Sequence, residues 1–175
     1  MSDLLDLQAL QSGEVTYDLL PIDCESLLEE MGQIAQPMLR EDQSLVFDVE
    51  GGPDLHVKAD VKGIVQILEN LLSNAIKFSP PDGKIEVAVK QDVSDVVLEV
   101  ADTGTGVPEE QRDHIFERFK QANSSDTRSQ QGIGLGLTLC KKLAEDMGGT
   151  IGFRPRESGG SVFWVRFPAA ASDEA

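Results

Sequence analysis

The stretch ILENLLSNAIKF, residues 67–78, decides the fold. Read with the residues before it, it is a helix: Asp60 can cap it, and Pro80 and Pro81 stop it. Val61, Ile64, Val65, Leu68, Leu71, Leu72 and Ala75 recur at 3.6-residue spacing and predict the buried face. Gln66, Asn70, Asn74 and Lys77 form a second stripe, at four- and three-residue spacing. Asparagine is a mediocre helix former, because its side chain competes for backbone hydrogen bonds. Two of them on a well-packing helix ask for a reason. Amide oxygens can ligate a hard cation such as Mg²⁺, and a lysine one turn on can meet a phosphate as a point charge. A solvated polar face is the plain alternative for the same stripe.

Outward from this helix, the chain alternates strand and helix signals. Asp23 can cap a helix from Cys24 to about Leu39, with Leu27, Leu28, Met31, Ile34, Ala35 and Met38 on one face. EVTYDLLPI reads as extended, and SLVFDV (44–49) and LHVK (55–58) as strands around the turn EGGPD. KIEVAVK (84–90) and VVLEVA (96–101) predict a hairpin over QDVSD. PEEQRDHIFERF predicts a helix entered at Pro108, and KQANSSDTRSQQ (120–131) a long polar loop. LTLCKKLAEDM predicts a helix ended by Gly148 and Gly149, then TIGFRP and SVFWVRFP a closing hairpin. The expected architecture is α/β: a two-layer sandwich, its mixed, mostly antiparallel sheet covered on one face by about three helices. The ending AAASDEA is expected to be a disordered tail.

The 175 residues carry a formal net charge of −16, which disfavours nucleic-acid binding. Any polyanionic ligand must be held by local donors against that field. No apolar run is long enough to span a bilayer, and no signal peptide opens the chain, so a cytoplasmic domain is expected, whether or not a parent protein is membrane-anchored. Cys24 and Cys140 read as reduced core residues, and His56 and His114 show no metal spacing.

Two glycine motifs carry further chemistry. VADTGTGVP (100–108) ends a strand in Asp102, then places Gly104 and Gly106 in a turn where backbone can approach a ligand. An aspartate there can accept a hydrogen bond from an exocyclic amine such as that of adenine, or simply cap the turn. QGIGLGLTLC (131–140) runs Gly132, Gly134 and Gly136 into a helix start, a site for phosphate, although a flexible hinge would look alike. It follows a polar loop instead of a strand, which sets it apart from the dinucleotide fingerprint.

Taken in order, NLLSNAIKF, DTGTG, IFERFKQ and GIGLGL resemble the N, G1, F and G2 boxes of the ATP-binding catalytic domain of sensor histidine kinases, within the GHKL superfamily with its Bergerat fold. The resemblance covers roughly residues 20–168. It implies that Asn74, supported by Asn70, binds Mg²⁺, that Lys77 meets the phosphates and that Phe78 lines the nucleotide pocket. Asp102 would read the adenine amine, with Gly104 and Gly106 shaping the pocket. Phe116 and Phe119 would anchor an ATP lid spanning about 117–131, and Gly132, Gly134 and Gly136 would hold the phosphates. Arg118 and Arg128 would be lid-region cations that neutralise charge during transfer.

The chain departs from the family pattern at Gln131, Ile133 and Val162, which bears on the lid and one phosphate-side hydroxyl. It also has Asn70 where the ATP-hydrolysing relatives and the serine-phosphorylating anti-sigma kinases carry an acid. Glu69 is adjacent, but points about 100° away on a helix. Slow hydrolysis and γ-phosphoryl transfer to a supplied nucleophile are therefore expected. Neither histidine has the context of a phosphoacceptor. Residues 1–19 resemble the end of a dimerisation-domain helix and its linker. The expected partners are the dimerisation domain of the same kinase, which carries the histidine, and the receiver domain of a response regulator. The domain alone is expected to be monomeric. A GHKL ATPase or serine kinase, and a non-catalytic nucleotide-binding or docking module, are the alternatives.

Overall fold

Among the described residues, seven strands and three longer α-helices form the domain: β1 (Leu20–Asp23), α1 (Cys24–Ala35), β2 (Ser44–Glu50), β3 (His56–Ala59), α2 (Val61–Phe78), β4 (Lys84–Asp92), β5 (Asp95–Ala101), α3 (Ile133–Asp146), β6 (Thr150–Pro155) and β7 (Ser161–Ala170). The computed structural model describes residues 8–10, 12–13, 15–40, 42–52, 54–117 and 133–171.

Both predicted N-caps form. The Asp23 carboxylate accepts from the Ser26 N–H at 3.0 Å, and that of Asp60 from the Gly63 N–H at 2.9 Å. Each satisfies an amide that the first helical turn leaves without a partner. The spatial strand order is β1-β3-β7-β5-β4-β2, with β6 paired to β7. Every pairing is antiparallel except that of β2 with β4. The expected mixed, mostly antiparallel sheet is therefore present.

Alternation along the strands divides the sheet into two faces. Val87 and Val89 of β4, Leu98 and Val100 of β5, and Val165 and Phe167 of β7 are buried with Leu68, Leu71, Leu72 and Ala75 of α2. The opposite face carries Glu86, Lys90, Glu99, Arg154 and Arg166 in ion pairs. Fully burying one aliphatic side chain contributes about 1.5–3 kcal/mol, whereas an exposed ion pair contributes about 0–1 kcal/mol. The helix-covered face holds the domain together.

Helices α2 and α3 run antiparallel. The Asp60 N–H, before α2, lies 3.4 Å from Sδ of Met147, after α3, so the start of α3 lies towards the end of α2. The sheet's own ends match: Ala101, which closes β5, is level with Val162, near the start of β7, and with Glu86, near the start of β4.

Three expectations are corrected. Val61, placed on the buried face of α2, is 46% exposed: burial along the helix begins at Gly63, which packs against Met147, and Ile64, and the first helical residue lies before that contact. PEEQRDHIFERF forms a 3₁₀ helix over Glu109–His114 with Pro108 just before it, not an α-helix. Among its described residues only Ile115 is buried, so no apolar stripe draws this stretch into α-helical turns. Lastly, Ala169 and Ala170, read as tail, complete β7 by pairing with Val57 and His56.

Candidate functional site

The end of α2 is built to hold its side chains still. The Asn70 amide nitrogen donates to the Gln66 carbonyl at 3.0 Å. A carbonyl only accepts, so this contact turns the amide oxygen of Asn70 away from the backbone. Asn74 lies one turn on, half-buried, and no described residue hydrogen-bonds to its side chain. Lys77 is exposed, its ammonium 5.6 Å from the centroid of the half-buried Phe78 ring. Glu69 is exposed and lies off this stripe.

The last carbonyls of a helix have no partner within it. Here they are bound from upstream. Arg40 donates through Nη2 to the carbonyls of Ile76 (3.1 Å), Lys77 (3.3 Å) and Ser79. Gln43, only 7% exposed, donates through Nε2 to Ile76 (3.0 Å), Ser79 (3.3 Å) and Pro80 (3.1 Å).

Beside this end lies the turn after β5. Asp102 is 5% exposed. Its Oδ1 accepts from the Gly104 N–H at 2.9 Å. Burial pushes the Asp102 carboxyl above the usual carboxylate range. The Gly104 and Ser161 amides and the charge of Arg156 oppose that rise. The Gly104 N–H engages one lone pair of this carboxylate, and its remaining acceptor capacity suits the amine edge of a ligand.

The approach of backbone to backbone makes glycine necessary at two points. A Cβ on Gly104 would collide with the Phe78 carbonyl oxygen, so the turn and the end of α2 touch through bare main chain. A Cβ on Gly160, at φ +104°, would collide with the Asp102 carbonyl oxygen. Arg156 completes the arrangement. Its guanidinium donates to the Asp102 carbonyl at 3.2 Å and pairs with Glu86 at 2.8 Å. The Glu86 carboxyl lies below its ordinary range, mainly through its hydrogen bond with Lys84 and then through Arg156.

On the far side, Phe116 packs edge-on against Phe163, ring centroids 6.3 Å apart. Thr138 Oγ1, on α3, donates to the Phe116 carbonyl at 3.1 Å. This ties the segment after the 3₁₀ helix to the beginning of α3, whose first turn contains Gly134 and Gly136. The positive end of the α3 dipole thus lies at the end of the fold that carries Asn74, Lys77 and Asp102. Arg118, Phe119, Arg128, Gln131 and Gly132 lie outside the described residues, as does the expected lid from 118 onward.

The structure therefore gathers Asn70, Asn74, Lys77, Phe78, Asp102, Gly104, Gly106 and the start of α3 at one end of the sheet. It leaves both histidines elsewhere: His56 contacts the Asp54 carbonyl, and His114 pairs with Glu117. Cys24 and Cys140 are free and buried, and burial raises the Cys24 thiol to about 12. The described residues contain no cluster of three or more His, Cys, Asp and Glu side chains placed to hold a metal. None of the described helices is long and apolar enough to cross a membrane.

Sequence reasoning missed Arg40, Gln43, Arg156 and Gly160. For Gly160 a signal existed in the Gly-Gly pair before β7. For the others none did, because a polar residue 30 or more positions from its partner carries no local pattern.

Comparison with known proteins agrees with this geometry. Residues 59–171 match the family described as histidine kinase-, DNA gyrase B-, and HSP90-like ATPase. The sensory/regulatory protein RpfC of Xanthomonas campestris is 34% identical over 99% of the chain, which spans 25% of that protein. A crystal structure of full-length ShkA in complex with AMPPNP matches 97% of the chain and 35% of ShkA, with a TM-score of 0.82 and 30% identity. The catalytic domain of histidine kinase ThkA, nucleotide-free, matches 86% of the chain and 95% of the domain, at TM-score 0.75 and 31% identity. ThkA has also been solved in complex with the response regulator protein TrrA. The match over residues 59–171, with the likeness to RpfC and ThkA, shows that the chain belongs to the histidine kinase-, DNA gyrase B-, and HSP90-like ATPase family, as a nucleotide-binding domain of the kind found in sensor histidine kinases.

Proposed function

We propose that the chain binds ATP together with Mg²⁺ and passes the γ-phosphoryl group to a histidine on a separate dimerisation domain of the same kinase. The observation that carries this reading is the buried Asp102 carboxylate, set behind Gly104 and Gly160 and next to the Asn70–Asn74–Lys77 stripe. Asp102 accepts from the adenine amine. Phe78 packs against the base, and Lys77 and the α3 N-terminus meet the phosphates. Asn70 and Asn74 would hold Mg²⁺ through amide oxygens, and the ion would offset triphosphate charge in a chain of net charge −16. The freed amide oxygen of Asn70 fits that donor set.

In the transfer, a bond forms between the acceptor imidazole nitrogen and the γ-phosphorus as the bond from that phosphorus to its bridging oxygen breaks, and ADP leaves. No acid occupies position 70 to activate water, so the water reaction is slow. A receiver domain of a response regulator then takes the phosphoryl group from the histidine. Arg118, Arg128, Phe119 and Gly132 belong to the same site in this reading, as lid cations, lid anchor and phosphate contact, and residues 1–19 are the end of a dimerisation helix and its linker.

The test mixes the purified domain with γ-labelled ATP, Mg²⁺ and a separately purified dimerisation domain. Acid-labile, base-stable label on that domain is expected, with little free phosphate. Fast phosphate release without transfer would make the protein an ATPase. Label on a serine would make it a serine kinase. Nucleotide binding with neither transfer nor hydrolysis would make it a docking module.

A further inference from the structure

No described residue pairs with the edge of the sheet furthest from β1. β2 pairs with β4 alone, and β4 lies on one side of it only. The Ser44 N–H donates to the Gly83 carbonyl, towards β4, at 3.1 Å. Backbone groups alternate sides along a parallel strand, so those of 46, 48 and 50 also face β4. The N–H and C=O groups of Leu45, Phe47 and Val49 face outward, and no described residue bonds to them. β2 contains no proline and no lysine, two of the usual means of blunting a free edge, and Val46 stands 43% exposed on it.

Alongside that edge, between β2 and α1, runs a groove of about 640 Å³ with Leu28, Gly32, Phe47 and Val49 on its floor. Gly32 opens it: a Cβ there would come within 3.2 Å of the Phe47 ring. Glu25 and Glu29 stand on the helix side of the groove, and Asp48 and Glu50 project from the other face of β2. None of these four acids forms an ion pair with a described residue. The sheet's open face a few strands away is different. There a hollow of about 410 Å³ around Trp164, which Glu50 borders at its β2 side, has its other charges paired, Glu99 with Lys90 and Arg154, and Arg166 with Asp92 and Asp95.

We propose that β2 and this groove take an extended segment of a partner protein, added as a further strand, in which apolar residues alternate with Lys or Arg. Main-chain bonds to residues 45, 47 and 49 seat it. Apolar side chains enter the groove over Phe47 and Val49. Basic side chains on the other face of the added strand meet Asp48 and Glu50, and Glu25 and Glu29 draw a cation at the groove's helix side. β4 separates β2 from β5, whose end leads to Asp102, so the two surfaces can be occupied together.

The probe is the blocked peptide acetyl-(Lys-Val)₄-amide, titrated into the ¹⁵N-labelled chain. Amide shifts confined to 44–50 and the groove side of α1 are expected, weakening as salt rises. The double variant Glu25→Lys/Glu29→Lys should bind the peptide at least tenfold more weakly and leave nucleotide affinity unchanged. Val49→Pro, which removes one outward N–H, should also lose the peptide. Should that variant not fold, the charge reversal still decides. No response, an equal response to acetyl-(Glu-Val)₄-amide, or shifts spread over the whole acidic surface would overturn the proposal. So would concentration-dependent dimerisation through β2, which would assign the edge to a second copy of this chain.

Discussion

The two ends of α2 are closed by different means. At its start, the helix is capped by the residue directly before it: Asp60 accepts from Gly63 three positions on. At its end, the carbonyls of Ile76, Lys77, Ser79 and Pro80 are bound by Arg40 and Gln43, between 33 and 39 positions upstream. The first end is architecture. The second carries Asn74, Lys77 and Phe78, and it also abuts the main chain of Gly104. Local closure at this end stops with the Ser79 N–H, which donates to the Ala75 carbonyl at 3.0 Å, and the carbonyls beyond it are bound from elsewhere in the fold.

This difference can be broken most severely at Gly160. Gly160→Ala forces a Cβ against the Asp102 carbonyl at a φ of +104°. It should cost about 3 kcal/mol in urea unfolding and at least tenfold in ATP affinity by calorimetry. Next comes the clamp itself. Gln43→Ala strips a buried donor from three carbonyls and should cost about 2 kcal/mol while weakening ATP binding. Asp60→Ala removes the N-cap together with the bond its Oδ2 accepts from the Asp18 N–H, and should cost about 1–2 kcal/mol with ATP affinity unchanged. Equal effects of the two variants on affinity would abolish the contrast between the ends.

Asp102 gives a smaller, double-signed effect. Its carboxyl is raised above the ordinary 3.8 by burial. For an acid so shifted, the linked stability is present below the ordinary value and is lost as pH rises through the raised one. At neutral pH the buried charge therefore costs stability, and Asp102→Asn should raise unfolding stability by about 1 kcal/mol while ATP affinity falls. In the intact protein, affinity requires the carboxylate as acceptor. It should fall as pH drops through the raised value, at a pH above that of an ordinary aspartate, and titration calorimetry between pH 7 and pH 4 reads it. The smallest effect belongs at the opposite end of the sheet. Val93, 90% exposed in the β4–β5 turn, holds φ at 57°. Val93→Gly should add about 0.5–1 kcal/mol to stability and leave nucleotide binding untouched, since no site residue lies there.

Much of the domain was legible in its sequence where the signal is local. The caps Asp23 and Asp60, the β4–β5 hairpin and the buried stripe of α2 follow from residues within a few positions of each other. The amide stripe and the two glycine motifs pointed to a nucleotide for the same reason, since each is a short pattern with one chemistry. Reading failed where a segment takes its form from what it meets. Glu109–His114 is 3₁₀ because it buries only Ile115 beyond its end, and Ala169–Ala170 is strand because β3 offers an edge.

The sequence by itself determined which elements form and which side chains can serve a triphosphate, because helix spacing, strand alternation and capping act over a few residues. Only the tertiary structure decided that Asp102 is buried, that Gly104 and Gly160 must lack side chains and that Arg40, Gln43 and Arg156 support the site. Those facts arise from contacts between segments tens of residues apart, where desolvation and the approach of backbone to backbone depend on the packed fold and leave no mark on local sequence.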